Sequence, residues 1–410
     1  MPGKAIEELR EEFALKNLER LSQFPPQQPP PEELSKPCSP GLKLLQKWSN
    51  DNKDVIQAAI KATVLGKDKS QISWDIAFLP FMESTAVYLR DWGLFAQALE
   101  TYRKHRSHGS LSEPQIREVV SLYNNSTLQI QTLAELWGLD FMVICDLVDL
   151  TPEGHLTWDG PYLGGFFTTA AQGDNQFIGL AFKGTNPFNW KEVQVDYNYQ
   201  LQHAEGYLEN QQVSLGVYTG LFGKFPEPYG IAYDFLIGAV DLLASRLSSK
   251  AVMTHVTGHS LGGSYSTMCY IQLLISSLGL QPPKHLNIGD EYTFGAPRVG
   301  DKEWATIYQG LIEHAAGTSW RIVNDNDIVP QVAPTELKPE QLSFCHVNTG
   351  MQIFPNKAPI VIPSEIPGPY PPPYPIDDWK DLLKAILDIG AHLPNFYYES
   401  LEYALQHPSA

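Results

Sequence analysis

The sequence predicts an α/β fold with a largely parallel sheet and an additional helical region at its N-terminus. Three observations carry that expectation. From residue 139 onward, short β-prone runs alternate with longer stretches of helical periodicity. One strand–helix junction contains G-x-S-x-G, the pattern of a very sharp turn between the two. Before residue 136 the text is mostly helical.

The elements follow in order. Residues 4–24 read as a charged helix with Ile6, Leu9, Phe13 and Leu21 on a rough apolar stripe. Residues 25–40 (PPQQPPPEELSKPCSP) form a proline-rich arm that favours extended backbone. Residues 41–136 read as helical, including a long aromatic-rich run from Asp75 to His105 broken only at Pro80. Asp140–Leu147 is apolar and β-prone. Phe166–Ala171 and Gln176–Phe182 flank turn residues as in a hairpin. Tyr229–Arg246 has helical spacing, Ala251–Val256 reads as a strand and Ser264–Ser277 as a helix. Glu291–Phe294 and Trp320–Val323 are further strands. Residues 362–375 form a proline-dense loop, and a helix is expected from Asp377.

The composition narrows the function. With 43% hydrophobic residues in a 410-residue chain, a sizeable core can be buried. Against 29 basic residues stand 46 acidic ones, a net charge of −17, which disfavours nucleic acid and anionic membrane surfaces as electrostatic partners. The cysteines Cys38, Cys145, Cys269 and Cys345 are too scattered for a disulfide framework or a zinc site, so no metal is expected. No apolar run is long enough to span a bilayer. The charged start MPGKAIEELREEF lacks the apolar core of a secretory leader, which gives a cytoplasmic expectation.

The segment VMTHVTGHSLGG at 252–263 carries the chemistry. A serine at the apex of a strand-to-helix bend projects its hydroxyl above the sheet edge. Its neighbours two before and two after must be small, because strand and helix nearly touch there. This makes Ser260 a candidate nucleophile, with His259 beside it as a structural residue pointing away. A serine needs an imidazole base, and the imidazole needs a carboxylate to fix its tautomer. In the chain order Ser, acid, His, the acid should follow a later strand. Asp325 and Asp327 both follow Trp320–Val323, and spacing alone does not choose between them. His346, His392 and His407 lie further on. His346 sits in a strand-like run, and His392 on a loop ahead of an aromatic-lined helix.

Three segments together resemble the fungal-type (class 3) triacylglycerol lipases of the α/β-hydrolase fold: TGHSLGG around Ser260, YTFGAPRVGD at 292–301, and RIVNDNDIVP at 321–330. The resemblance implies an α/β-hydrolase domain over 137–410; before it the residue patterns alone give a helix with its arm over 1–40 and a helical region over 41–136 that packs on the hydrolase core. It implies Ser260 as nucleophile, Asp327 directly before Ile-Val-Pro as the acid, and His392 as the base. The family places an aromatic three residues after the histidine, whereas Asn395 stands here. The resemblance also implies an oxyanion hole from the backbone N–H groups of Leu261 and Thr185, the latter in LAFKGTNPFNW. GVYTGLF at 216–222 resembles a helix packed under the site, and Phe188–Gln200 a lid over an acyl cleft.

The implied activity is hydrolysis of lipid carboxylic esters through an acyl-enzyme, with no cofactor and with lipid or ester, at a lipid–water interface, as the partner. A carboxylesterase for bulky phenolic or carotenoid esters would use the same triad. A non-catalytic lipid-binding protein is the rival from another class, and the intact Ser260, Asp327 and His392 count against it.

Overall fold

The apolar stripe of the first helix, α1 (Pro2–Leu21), draws it onto the body. Ile6, Leu9, Phe13, Leu18 and Leu21 are buried. Arg10 pairs with Asp140 at 2.9 Å, and Asn17 bonds the backbone of Ile144 and Asp146. The computed structural model describes residues 2–26, 40–151, 153–168, 175–184, 201–226, 228–279, 282–331, 344–347, 350–363 and 390–408. The helix expected from Asp377 begins outside these residues.

Six helices follow: α2 (Leu42–Asp51), α3 (Lys53–Lys61), α4 (Trp74–Ala86), α5 (Trp92–Arg106), α6 (Glu113–Asn125) and α7 (Leu128–Trp137). The break expected at Pro80 falls elsewhere. Pro80 lies inside α4, where every residue from Ile76 to Ala86 is buried. Packing on both sides outweighs the one backbone donor that proline lacks. The interruption comes at Arg90 and Asp91. Arg90 forms a buried ion pair with Asp146, and the Asp91 side chain caps α5 by accepting the Leu94 N–H at 2.9 Å.

The sheet begins with β1 (Leu139–Asp146), β2 (Tyr162–Thr168) and β3 (Phe177–Phe182), paired antiparallel. The β2–β3 pair is the hairpin expected from the sequence. Then come β4 (Leu201–His203), β5 (Gln212–Ser214), α8 (Leu215–Phe222), α9 (Ala232–Leu247), β6 (Val252–His259) and α10 (Leu261–Leu278). The chain continues with β7 (Leu286–Phe294), β8 (Gly300–Asp301), α11 (Lys302–His314), β9 (Ser319–Asn324), β10 (Phe344–Cys345), β11 (Gly350–Ile353), β12 (Ile360–Ile362) and α12 (Pro394–Gln406).

Eight strands form one sheet in the order β1-β2-β3-β6-β7-β9-β11-β12, and β10-β8-β5-β4 form a smaller one. In the large sheet β3, β6, β7, β9 and β11 run parallel. Alternation along β3 shows how both faces are used. Phe177 and Ala181 join a core with α4, while Ile178, Leu180 and Phe182 join another with α10. Near-continuous burial of the parallel strands follows from this double covering.

The register fixes where a site can lie. Phe182 is level with Gly258, His259 with Phe294, and Phe294 with Ile322. The loops leaving β3, β6, β7 and β9 therefore emerge together at one edge, the carboxyl edge at which open α/β sheets bind ligands.

Candidate active site

Ser260 occupies the bend between β6 and α10 with φ 59° and ψ −134°. A positive φ on a non-glycine residue costs about 1–3 kcal/mol and persists only where the surroundings impose it. The glycines around it show the constraint. A β-carbon at Gly258 would lie 2.2 Å from the carbonyl of Gly262, and one at Gly262 would lie 2.2 Å from the Phe182 carbonyl oxygen. One at Gly263 would lie 2.6 Å from the Ala296 side chain. We expect Gly262→Ala to destabilise the fold by about 3 kcal/mol, because backbone rather than a movable side chain blocks the methyl group. Denaturant unfolding measures this, and an unchanged midpoint would contradict the close approach.

The Ser260 N–H donates to the Phe294 carbonyl at 2.9 Å, tying the bend to the end of β7. Leu261 is the first residue of α10, where a backbone N–H has no acceptor within the helix. It is therefore placed as the sequence expects of an oxyanion donor. Thr185 and the expected lid Phe188–Gln200 lie outside the described residues.

Of the two candidate acids, the structure brings Asp327 and not Asp325 to an imidazole. His392 ends a short turn, Gly390–His392, immediately before α12. Its Nδ1–H donates to Asp327 Oδ2 at 2.8 Å, with both side chains fully buried. Asp325 sits in the turn after β9 with φ 36°, and its N–H donates to the Ile353 carbonyl. His346 is also buried, but its Nε2 bonds the Pro330 carbonyl. His392 Nε2 has no hydrogen-bond partner among the described residues. Its ring stacks on that of His259 at 4.7 Å, and a β-carbon at Gly295, next to Phe294, would lie 3.0 Å from His392 Cε1. The imidazole thus lies against both the residue before Ser260 and the strand end to which Ser260 is bonded.

Asp327 has three donors. Oδ2 also accepts from the Tyr397 hydroxyl at 2.7 Å, and Oδ1 accepts from the Val329 N–H at 2.9 Å. Burial and the adjacent Asp327 charge push the Tyr397 phenol well above its ordinary pKa, so it stays a neutral donor. Sequence reasoning did not give Tyr397 this contact. It stands five residues after His392 rather than three, and α12 carries its hydroxyl back to the acid.

His259 also has more to do than face away. Its Nε2 donates to the His392 carbonyl at 2.9 Å, and its Nδ1 meets the Tyr88 hydroxyl at 3.2 Å. Burial, with the neighbouring His392 adding to it, lowers its pKa well below the usual histidine range. It is a neutral imidazole that fastens the backbone of the second one. Among the described residues no group of histidine, cysteine and carboxylate side chains has the arrangement of a metal site.

Residues 179–337 match the family described as Lipase (class 3). Triacylglycerol lipase OBL1 of Arabidopsis thaliana is 26% identical over 211 residues, covering 46% of this chain and 39% of that protein. Phospholipase A1-II 5 of Oryza sativa subsp. indica is 24% identical over 201 residues, covering 47% of this chain and 41% of that protein. Among solved structures, lipase II from Rhizopus niveus is 19% identical with a TM-score of 0.42, covering 73% of this chain and 94% of that one. The chain spans about two fifths of the length of these two sequence relatives. The matched segment runs from β3 through the sharp turn at Ser260 and past Asp327, on a mainly parallel sheet, and in it this chain is similar to the class 3 lipases.

Proposed function

We propose that this chain is a serine hydrolase that cleaves carboxylic esters of lipids. The observation that carries the reading is the His392 ring. One nitrogen is held by Asp327, and the other is buried beside the bend that carries Ser260, with no hydrogen-bond partner among the described residues.

In this reading Ser260 attacks the ester carbonyl carbon as His392 Nε2 takes its proton. The tetrahedral oxyanion is held by the N–H groups of Leu261 and Thr185, each worth roughly 2.7–4 kcal/mol at the transition state. The carbon–oxygen bond to the alcohol breaks, and the alcohol leaves with the proton from His392. Water then attacks the acyl-enzyme, again giving its proton to His392, and the acid leaves as Ser260 regains its hydrogen. Asp327 keeps the Nδ1–H tautomer in place and steadies the imidazolium that forms twice per cycle.

The lipid substrate class rests on the family and on its relatives' names, one a triacylglycerol lipase and one a phospholipase A1. The aromatic segment Phe188–Gln200 is proposed as a lid whose apolar face is costly to expose except against lipid. A p-nitrophenyl ester series from acetyl to palmitoyl, run beside emulsified triacylglycerol and phosphatidylcholine vesicles, tests both parts. We expect long acyl chains to be cleaved and rates to rise as a soluble ester passes its solubility limit. Activity confined to short or aromatic esters would move the assignment to a non-lipid carboxylesterase, and a rate that does not rise at that limit would argue against a lid.

A further inference from the structure

We propose that Tyr88, in the helical region that precedes the sheet, is a positioning residue for the base of this hydrolase: its hydroxyl fixes the tautomer of His259, and His259 in turn holds the backbone of His392. The proposal deepens the hydrolase reading and rests on it.

Three alternate residues of β6 point to the same face, and each is gripped by the segment from α4 to Tyr88. His255 Nε2 meets Glu83 Oε2 at 2.6 Å, the Thr257 hydroxyl donates to the Pro80 carbonyl at 3.1 Å, and His259 meets Tyr88. The first two bonds lie in the interior of the sheet. The third lies at its carboxyl edge, one residue from Ser260.

The hydrogen bonds leave one assignment for His259. The His392 carbonyl can only accept, so the proton is on Nε2. A neutral imidazole protonated there has an accepting Nδ1, and the Tyr88 O–H supplies the matching donor, shared with the His259 carbonyl at 3.3 Å. With the phenol absent, nothing in this set of bonds favours Nε2–H except the His392 carbonyl itself.

Tyr88 also touches the third loop of the site. A β-carbon at Gly184 would lie 2.8 Å from the Tyr88 hydroxyl, 2.8 Å from the His259 carbonyl and 2.8 Å from the Gly262 N–H. Gly184 immediately precedes Thr185. One phenol oxygen therefore stands where the bend at Ser260, the loop after β3 and, through His259, the turn bearing His392 come together. Residue 88 lies outside the matched segment 179–337.

The test is a pair of substitutions on the full chain with a soluble short-chain ester. Tyr88→Phe removes one oxygen and keeps the ring. It should lower kcat about tenfold with KM changed by less than about twofold, since a base displaced by a fraction of an ångström loses rate rather than binding. His259→Gln places an amide N–H near the position of Nε2 and has no tautomer to choose. In that background Tyr88→Phe should change kcat by less than about twofold. In parallel, the imidazole nitrogen spectrum of 15N-labelled protein should show His259 protonated on Nε2, with its Nδ1 signal shifting in Tyr88→Phe as the accepted hydrogen bond is lost.

An unchanged kcat in Tyr88→Phe, the same loss in the His259→Gln background, or a proton on Nδ1 of His259 would each overturn the proposal. A wild-type chain that hydrolyses no ester, or one whose Ser260→Ala variant matches it, would count against the hydrolase reading. The nitrogen spectrum decides the Tyr88–His259 assignment in that case as well.

Discussion

Replacing Ser260 with alanine is expected to lower ester turnover by about a million-fold, down to what binding and oxyanion donors alone provide. The same variant should lose covalent labelling by a fluorophosphonate, because the oxygen that the reagent would modify is removed with the side chain. The fold should not suffer. Ser260 is buried at the bend, its backbone rather than its side chain makes the bond to Phe294, and the neighbouring glycines set the close approach. Removing the hydroxyl leaves those constraints in place. Alanine inherits the positive φ, so any change in unfolding midpoint should be small beside the loss of rate. Measurement of kcat with a titrated active-site concentration checks this, and turnover within a hundredfold of wild type would remove Ser260 from the nucleophile's role.

What was legible in the sequence was mostly local. The Gly258–Gly263 pattern announces a strand meeting a helix because only glycine fits contacts of 2.2 Å between their backbones. The apolar runs that became β1, β6, β7 and β9 could be read because double-sided burial leaves near-continuous hydrophobic text. Choosing Asp327 over Asp325 was not local. Both follow β9 within four residues, and the turn sends one to His392 and the other to the backbone of β11. Only the resemblance in RIVNDNDIVP made that choice. The contacts of Tyr88 and Glu83 with β6 span 171 and 172 residues of sequence, and no periodicity encodes them. Tyr397 escaped for a subtler reason. Its helix begins at Pro394, so the residue that turns back to Asp327 is set by helical phase rather than by distance from His392. The break assigned to Pro80 was misplaced because a buried ion pair at Arg90 and a cap at Asp91 outweigh a proline already inside a packed helix.

Asp327→Asn should lower kcat by about ten-thousandfold while leaving the shape of the site almost unchanged. The reason lies in which atom faces which donor. The Val329 N–H donates to Oδ1 at 2.9 Å and demands an acceptor there, so the amide oxygen of an asparagine settles on that side. Its NH2 group then occupies the Oδ2 position, 2.8 Å from His392 Nδ1. Two donors cannot face each other at that distance. His392 must turn Nδ1 into an acceptor and carry its proton on Nε2, the nitrogen that should receive the proton of Ser260. The Tyr397 hydroxyl does not prevent this, because it can accept from the amide instead of donating to the acid. The base is thus blocked by a wrong tautomer rather than removed. The 15N spectrum of His392 should show the proton moved to Nε2, and fluorophosphonate labelling of Ser260 should slow in proportion to kcat. Asp325→Asn, by contrast, should leave kcat within about threefold of wild type, since the described contacts of that residue run through its backbone. If Asp325→Asn were the inactive variant and Asp327→Asn the active one, the acid would have to be reassigned, and with it the role of the buried Nδ1 bond.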